Sequence, residues 1–266
     1  MKITHDFHIH TTLSRCANKE NATIENYIAH AKRLGLKKLG FANHYWDETF
    51  DAGDNNFYKF QGTDHVLSLK DELKKYENEG VKLYLGCEGE YSYKLRSVAI
   101  SEENAEKFDF IVIPNSHTHM SMPKEFYEPH KKHADFMIDA YNDTLDCNIS
   151  KYITAMAHPF EAVCCPYDNS ILIDLISDDT YKRLFDKQAK KGIAFEINVN
   201  SMKKMTHEEI EKMSQIRMFR LAKEMGCKFI FGSDAHDNEA HLYYDNASFV
   251  ADLLELKDDD ILELGR

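Results

Sequence analysis

The sequence predicts an α/β barrel in which parallel strands alternate with helices. Short apolar runs rich in β-branched and aromatic residues alternate with longer stretches of helical periodicity, the pattern of βα units around a parallel sheet. No low-complexity linker, Pro/Gly-rich hinge or repeat divides the 266 residues, and barrels of this kind reach that length as one unit. Residues 1–266 are therefore expected to form a single domain.

The first strand is expected over residues 3–9. A helix over 23–34 follows, with Ile24, Tyr27, Ile28, Ala31 and Leu34 on one face and Gly35 as its stop. A second strand over 38–42 leads into a polar and aromatic loop, 45–63, and then a helix over 64–79 ended by Gly80. The third strand spans 81–87. A short helix near 101–107 precedes the fourth, 110–113, and a helix over 131–145 precedes the fifth, 152–157. A helix over 179–191 leads to the sixth, 193–199, and an amphipathic helix over 207–225 to the seventh, 228–232.

Hydrophobic residues make up 43% and charged residues 29%, enough apolar material for a full core. The net charge of −12 argues against nucleic acid or an anionic membrane as partner, since both reward clustered Lys and Arg. No apolar run reaches membrane-spanning length, and the N-terminus has no secretory h-region. The six cysteines include no C-x-x-C pair, and Cys164 and Cys165 are adjacent, a poor disulfide framework. A reducing cytoplasm is the expected location.

Parallel α/β barrels place their chemistry at the C-terminal ends of the strands. Strand one ends in His8-Ile9-His10, whose imidazoles at i and i+2 share a face. The following strands end in Asn43-His44, in Glu88 and Glu90, in His117-Thr118-His119, and in His158-Pro159. The sixth offers Asn198 and Asn200, and the seventh ends in Ser233-Asp234-Ala235-His236. One such histidine reads as a capping or hydrogen-bonded residue. Repetition at six of seven strand ends points instead to metal ligation, and a mixture of imidazoles and carboxylates suits Zn²⁺, Fe²⁺ or Mn²⁺.

In this order the elements Asp6-x-His8-x-His10-Thr11, Asn43-His44, Gly86-x-Glu88, Ser116-His117, His158-Pro159 and Ser233-Asp234-Ala235-His236 resemble the polymerase-and-histidinol-phosphatase (PHP) superfamily, in its histidinol-phosphate phosphatase branch. The resemblance implies a distorted (βα)7, TIM-like barrel with two or three divalent transition-metal ions. It implies His8, His10, Glu88 and Asp234 around one ion, Glu88, His117 and His158 around a second, and His44 and His236 on a third. Where that branch supplies a further histidine, this chain has Ser14-Arg15-Cys16. Cys16 either completes the third site as a thiolate or is a small apolar residue.

The activity so implied is hydrolysis of a small phosphomonoester, L-histidinol phosphate foremost, by a hydroxide bridging two ions. A phosphodiester or nucleotide substrate, or a non-catalytic metal-binding regulatory module, are the alternatives. Asp234 is expected to bind metal and manage a proton, with His119 or His236 protonating the leaving group. Arg15 and Arg96 are the basic residues nearest in sequence to strand ends and are candidates for the phosphate. His119 and Glu90 are candidates for orienting ligands. His30, His65, His130, His133, His207 and His241 are expected at the surface. Trp46, Phe50, Phe57, Tyr58 and Phe60 either cover the substrate or pack on the barrel rim.

Overall fold

The structure, a computed structural model, describes residues 1–51, 56–237 and 239–264. Residues 52–55 of the expected aromatic loop, residue 238, and the last two residues of the expected domain lie outside the described residues.

Seven parallel strands form the sheet: β1 (His5–Ile9), β2 (Lys38–Tyr45), β3 (Lys82–Gly89) and, after a hairpin of β4 (Tyr91–Ser92) and β5 (Ser97–Val98), β6 (Phe110–Pro114), β7 (Ala155–Ala157), β8 (Ala194–Asn198) and β9 (Phe229–Gly232). Their spatial order is β1-β2-β3-β6-β7-β8-β9. A parallel bridge between Ile9 and Ala235 draws the two edges together, with the His10 amide donating to the Ala235 carbonyl at 2.9 Å. This is the expected distorted seven-stranded α/β barrel.

Alternation along the strands sorts side chains into an inner and an outer layer. In β3, Leu85 and Cys87 join the large apolar layer under the helices, whereas Tyr84 joins Phe7, Phe110, Val112, Ala155, Ala194 and Ile230 inside the barrel. Gly86 makes room for that filling, because a Cβ there would stand 2.3 Å from the Phe110 ring. Glu88, next on the same inner face, is fully buried at the C-terminal mouth. In β1 the pairing register shifts between Asp6 and Ile9, and the alternation resets. Phe7 lies inside and Ile9 outside, and His8 and His10 turn inward to meet Glu88.

The helices are α1 (Ile24–Leu34), α2 (Thr63–Leu67), α3 (Leu69–Leu73), α4 (Glu102–Ala105), α5 (Thr118–Ser121), α6 (His130–Asp146), α7 (Ser170–Leu175), α8 (Asp178–Lys190), α9 (His207–Glu211), α10 (Ser214–Glu224) and α11 (Asp245–Leu253). In α1, Thr23 caps the Asn26 amide and Gly35 closes the helix in the left-handed region, as expected.

The helix expected over 207–225 is two helices, because Met213 is extended (ψ 139°). Ile210 and Ile216 are both buried, and six residues of continuous helix would have set them about 120° apart around its axis. The break lets both reach the core. The helix expected over 64–79 divides into α2, α3 and a 3-10 turn, and residues 74–76 of that turn bury nothing. The fifth strand is only three residues, preceded by a 3-10 turn at Ser150–Tyr152. The hairpin and helices α5, α7 and α11 were not expected. Among the described residues no helix is long and apolar enough to cross a membrane.

Candidate metal centre

Glu88 is the hub. Its Oε1 lies 3.1 Å from His158 Nε2, 3.5 Å from His117 Nε2 and 3.5 Å from His8 Nε2, and its Oε2 lies 2.8 Å from His44 Nδ1 and 3.5 Å from His10 Nε2. Asp234 Oδ1 approaches His10 Nε2 at 3.1 Å and His8 Nε2 at 3.7 Å. His236 stacks on His10 with ring centroids 4.1 Å apart. Cys16 is exposed overall, yet its thiol meets both His44 and His236. The structure thus brings together all nine residues expected to bind metal: His8, His10, Cys16, His44, Glu88, His117, His158, Asp234 and His236. Within the cluster, ligand atoms of His8, His10 and Glu88, of His44, Glu88, Glu90 and His117, and of His10, His44 and His236 converge as three groups, each within 4.8 Å.

The hydrogen bonds behind the rings decide which nitrogen faces inward. Glu196 Oε1 lies 2.7 Å from His8 Nδ1, and a carboxylate only accepts, so Nδ1 carries a proton and Nε2 is the nitrogen left to face the cluster. Glu90 does the same for His117 at 2.9 Å, and the Asp234 carbonyl for His236 at 2.9 Å. For His10 the partner is Ser14 Oγ at 3.0 Å. The Ser14 proton goes to Asn43 Oδ1, itself identified by the Thr11 amide it accepts, so Ser14 must accept from His10 Nδ1. His158 Nδ1 is held by Ser116 Oγ at 2.6 Å.

Five imidazoles therefore have Nδ1 engaged and Nε2 turned inward. His44 Nδ1 and Glu88 Oε2 are buried without a hydrogen-bond partner despite their separation of 2.8 Å. Bare donor atoms crowded at this spacing fit divalent cations, and the imidazole, carboxylate and thiol set fits Zn²⁺, Fe²⁺ or Mn²⁺.

Burial opposes charge on the rings, yet the acids beside them, Glu88, Glu196 and Asp234, win. They raise His8, His44 and His236 above their ordinary value and His158 to about 9, so cations would compete with protons for the same ring nitrogens. Burial alone would raise the Glu88 carboxyl, but His117, His44 and His8 overcome it and hold the group well below the usual range. Burial, reinforced by His236 and His44, pushes His10 well below its ordinary value and keeps it neutral. Burial opposes ionisation of Cys16, yet the two imidazoles beside it bring the thiol down to about 6.

The remaining expected residues lie farther out. His119 is exposed on α5, its ring 5.7 Å from that of His117. The Arg15 guanidinium bonds the Asn56 carbonyl and lies over the Phe60 ring, and that of Arg96 pairs with Asp143 at 2.7 Å and with Asp139. Neither set of contacts includes a cluster residue. Trp46 is buried, stacked on Tyr58 and donating to the Phe50 carbonyl, so it packs on the rim. Phe57 reaches inward, 5.2 Å from the His44 ring.

Two histidines expected at the surface are buried because each has a tertiary partner: His241 pairs with Asp6 at 2.7 Å, and His133 with the Tyr167 hydroxyl at 2.6 Å. Glu196 was missed altogether. An acid between Phe195 and Ile197 in an apolar strand is a signal, but it falls in mid-strand rather than at the end. Glu161, beside the cluster, was also missed; burial pushes its carboxyl up to about 7.

A seven-stranded α/β barrel with a buried imidazole and carboxylate cluster suited to divalent metal at its C-terminal mouth defines a metal-dependent barrel protein of the hydrolytic kind. The chain belongs to the PHP domain family, whose pattern matches residues 6–200. Asp234 and His236 lie beyond the matched stretch and reach the site through β9. The fold is similar to that of histidinol phosphate phosphatase from Lactococcus lactis subsp. lactis Il1403, solved with zinc, L-histidinol and phosphate: TM-score 0.70, 16% identity, 98% of each chain covered. Weaker similarities are to an uncharacterized protein (TM-score 0.44, 12% identity, 98% of this chain and 71% of that one) and to N-isopropylammelide isopropylaminohydrolase from Burkholderia multivorans ATCC 17616 (TM-score 0.40, 12% identity, 98% and 70%). No curated protein matches the sequence.

Proposed function

We propose that this PHP-domain chain is a metal-dependent phosphoesterase that hydrolyses a small phosphomonoester, with L-histidinol phosphate the first substrate to test. The observation that carries the reading is the set of Nε2 atoms and carboxylate oxygens turned toward one point around Glu88. His8, His10, Glu88 and Asp234 would hold one ion, Glu88, His117 and His158 a second, and His44, His236 and Cys16 a third. Bound divalent ions supply Lewis-acid stabilisation of charge on the phosphoryl oxygens and lower the pKa of water.

The protein's own part is positional and protonic. Glu196, Glu90, Ser14 and Ser116 lock the ring orientations. In this reading His119, exposed at the rim, gives a proton to the departing alkoxide, and Asp234 takes one from the attacking water. Arg15, exposed beside Cys16, is the guanidinium retained for the phosphate. Arg96 is committed to Asp143.

The test is metal analysis of protein purified without chelators, followed by turnover of phosphomonoesters and phosphodiesters with Zn²⁺, Mn²⁺ or Fe²⁺. Metal-dependent release of phosphate from monoesters is the expected result. A folded, metal-loaded protein that cleaves no ester refutes the proposal, and a preference for diesters replaces the substrate class.

A further inference from the structure

Beside the metal centre lies a cleft of about 230 Å³ lined by His158 and Asp234 on one side and by Glu161, Asn169, Asn198, Asn200, Ser201 and Gln215 among others. Its chemistry is lopsided. None of the described lining residues is Lys or Arg, and the acid that belongs to no ligand group, Glu161, stands only 7% exposed. Glu161 faces Ser201 and Gln215, and its Oε1 has no hydrogen-bond partner.

The loop that carries it is pinned. The Glu161 amide donates to the His158 carbonyl at 3.1 Å, the Ala162 amide to Asn169 Oδ1 at 2.8 Å, and the Phe160 amide to Asn115 Oδ1 at 3.0 Å. Phe160 is held at φ 61°, a strained setting for a residue other than glycine. A buried carboxylate oxygen left bare is costly unless a ligand donor meets it.

We propose that this cleft is the leaving-group subsite and that Glu161 selects substrates whose non-phosphate end carries an ammonium. The inference rests on the phosphomonoesterase reading and adds to it a residue and a charge rule. With the phosphate on the metals, the remainder of the ester enters a space whose amides and hydroxyls suit any polar group. Away from the metal-facing His158 and Asp234, Glu161 is the lining residue that distinguishes by charge, and a charge-assisted hydrogen bond to an ammonium is the strongest it can make. A second anionic group meets Glu161 with no compensating cation, so nucleotides and bisphosphates are disfavoured.

The test separates binding from turnover. Zinc-loaded protein is titrated calorimetrically with ω-aminoalkylphosphonates and with ω-hydroxyalkylphosphonates of matched length, which cannot be hydrolysed. The amino series is expected to bind about tenfold tighter or more, as one charge-assisted bond implies. Glu161→Gln is expected to erase the ratio. Gln215→Lys, which leaves Glu161 in place but gives it a resident cation, is expected to do the same and guards against misfolding of the first variant. Equal or tighter binding of the hydroxy series by the native protein overturns the inference. An amino preference without turnover of any ester upholds the subsite and refutes the phosphoesterase reading, while turnover of esters without that preference does the reverse.

Discussion

His8 Nδ1 and Glu196 Oε1 lie 2.7 Å apart, and neither side chain is exposed to solvent. Glu196 also accepts the His158 amide through its other oxygen at 2.7 Å, so one carboxylate in the wall of the barrel orients the His8 ring on β1 and the backbone of His158 after β7. Glu196→Gln keeps the shape but lets the amide donate to His8 Nδ1, favouring the tautomer whose Nε2 carries a proton. Metal affinity, measured by competition with a chelator, is expected to fall about 10- to 100-fold. Unchanged affinity would show that Glu196 merely fills space.

Gly232 protects that same contact. A Cβ there would stand 2.3 Å from Glu196 Oε1 and 2.5 Å from His8 Cβ, closer than such atoms approach. Gly232→Ala must push Glu196 or β1 aside, at a cost of about 1–3 kcal/mol for overpacking. Denaturant unfolding of the chelated protein reads that cost, and the chelator competition is expected to show a loss of metal affinity alongside it. A variant with native stability and native affinity contradicts the packing described here.

Cys16 is where the thiol reading meets a direct spectroscopic check. Its Sγ touches His44 and His236, and the imidazoles draw the thiol down to about 6. Protein loaded with Co²⁺ is expected to show a thiolate-to-metal charge-transfer band in the near ultraviolet, absent from Cys16→Ser. If native and variant spectra coincide, Cys16 is not a ligand.

The barrel and most of the centre were legible before any coordinates because strand ends are local features. A short apolar run followed by His, Asp or Glu carries its position in its own sequence, and six such runs in order assign one rim. Glu196 was hidden because nothing local separates a carboxylate that orients a ring from one that tips a strand outward. Its role depends on His8, 188 residues away. His241 and His133 were misplaced for the same reason, since the polar partners that let them be buried, Asp6 and Tyr167, are far off in sequence. The division at Met213 followed from a demand that two isoleucines reach one core, which helical periodicity alone does not express.

Asp6 and His241 form a second buried pair that ties β1 to the segment after β9. Asp6 Oδ1 also accepts the amides of His8 and Ser233 at 3.2 and 2.9 Å, so the pair sits directly behind the barrel's closure. His241→Ala strips one partner from a carboxylate that is fully buried. A loss of about 3–5 kcal/mol is expected in denaturant unfolding. Adding Asp6→Asn is expected to cost less than the sum of the single changes, because the uncompensated charge is then gone. Additive losses would mean that the two residues do not act as a pair.

His5 makes the acid limb of stability testable. Its ring is 4% exposed, stacks on Phe7 at 4.4 Å, and accepts the Phe231 amide at Nε2 at 3.0 Å, so the bonded form is the neutral one. Burial pushes its pKa from 6.5 down to about 4. The folded-state value lies below the unfolded one, so between about pH 6.5 and 4 the unfolded chain takes up a proton that the folded chain refuses. Stability on this account is complete above 6.5 and declines as the pH falls toward 4, by up to about 3 kcal/mol for a shift of this size. His133, pushed by burial to about 4, shares this window, so the informative quantity is the difference between the native protein and His5→Gln, whose amide oxygen still accepts the Phe231 amide. Urea midpoints measured with chelator present are expected to diverge on acidification, the native protein losing more. Parallel curves from pH 7 to 4 would mean that His5 is protonated in the fold without penalty, and that the Phe231 hydrogen bond does not hold this ring neutral.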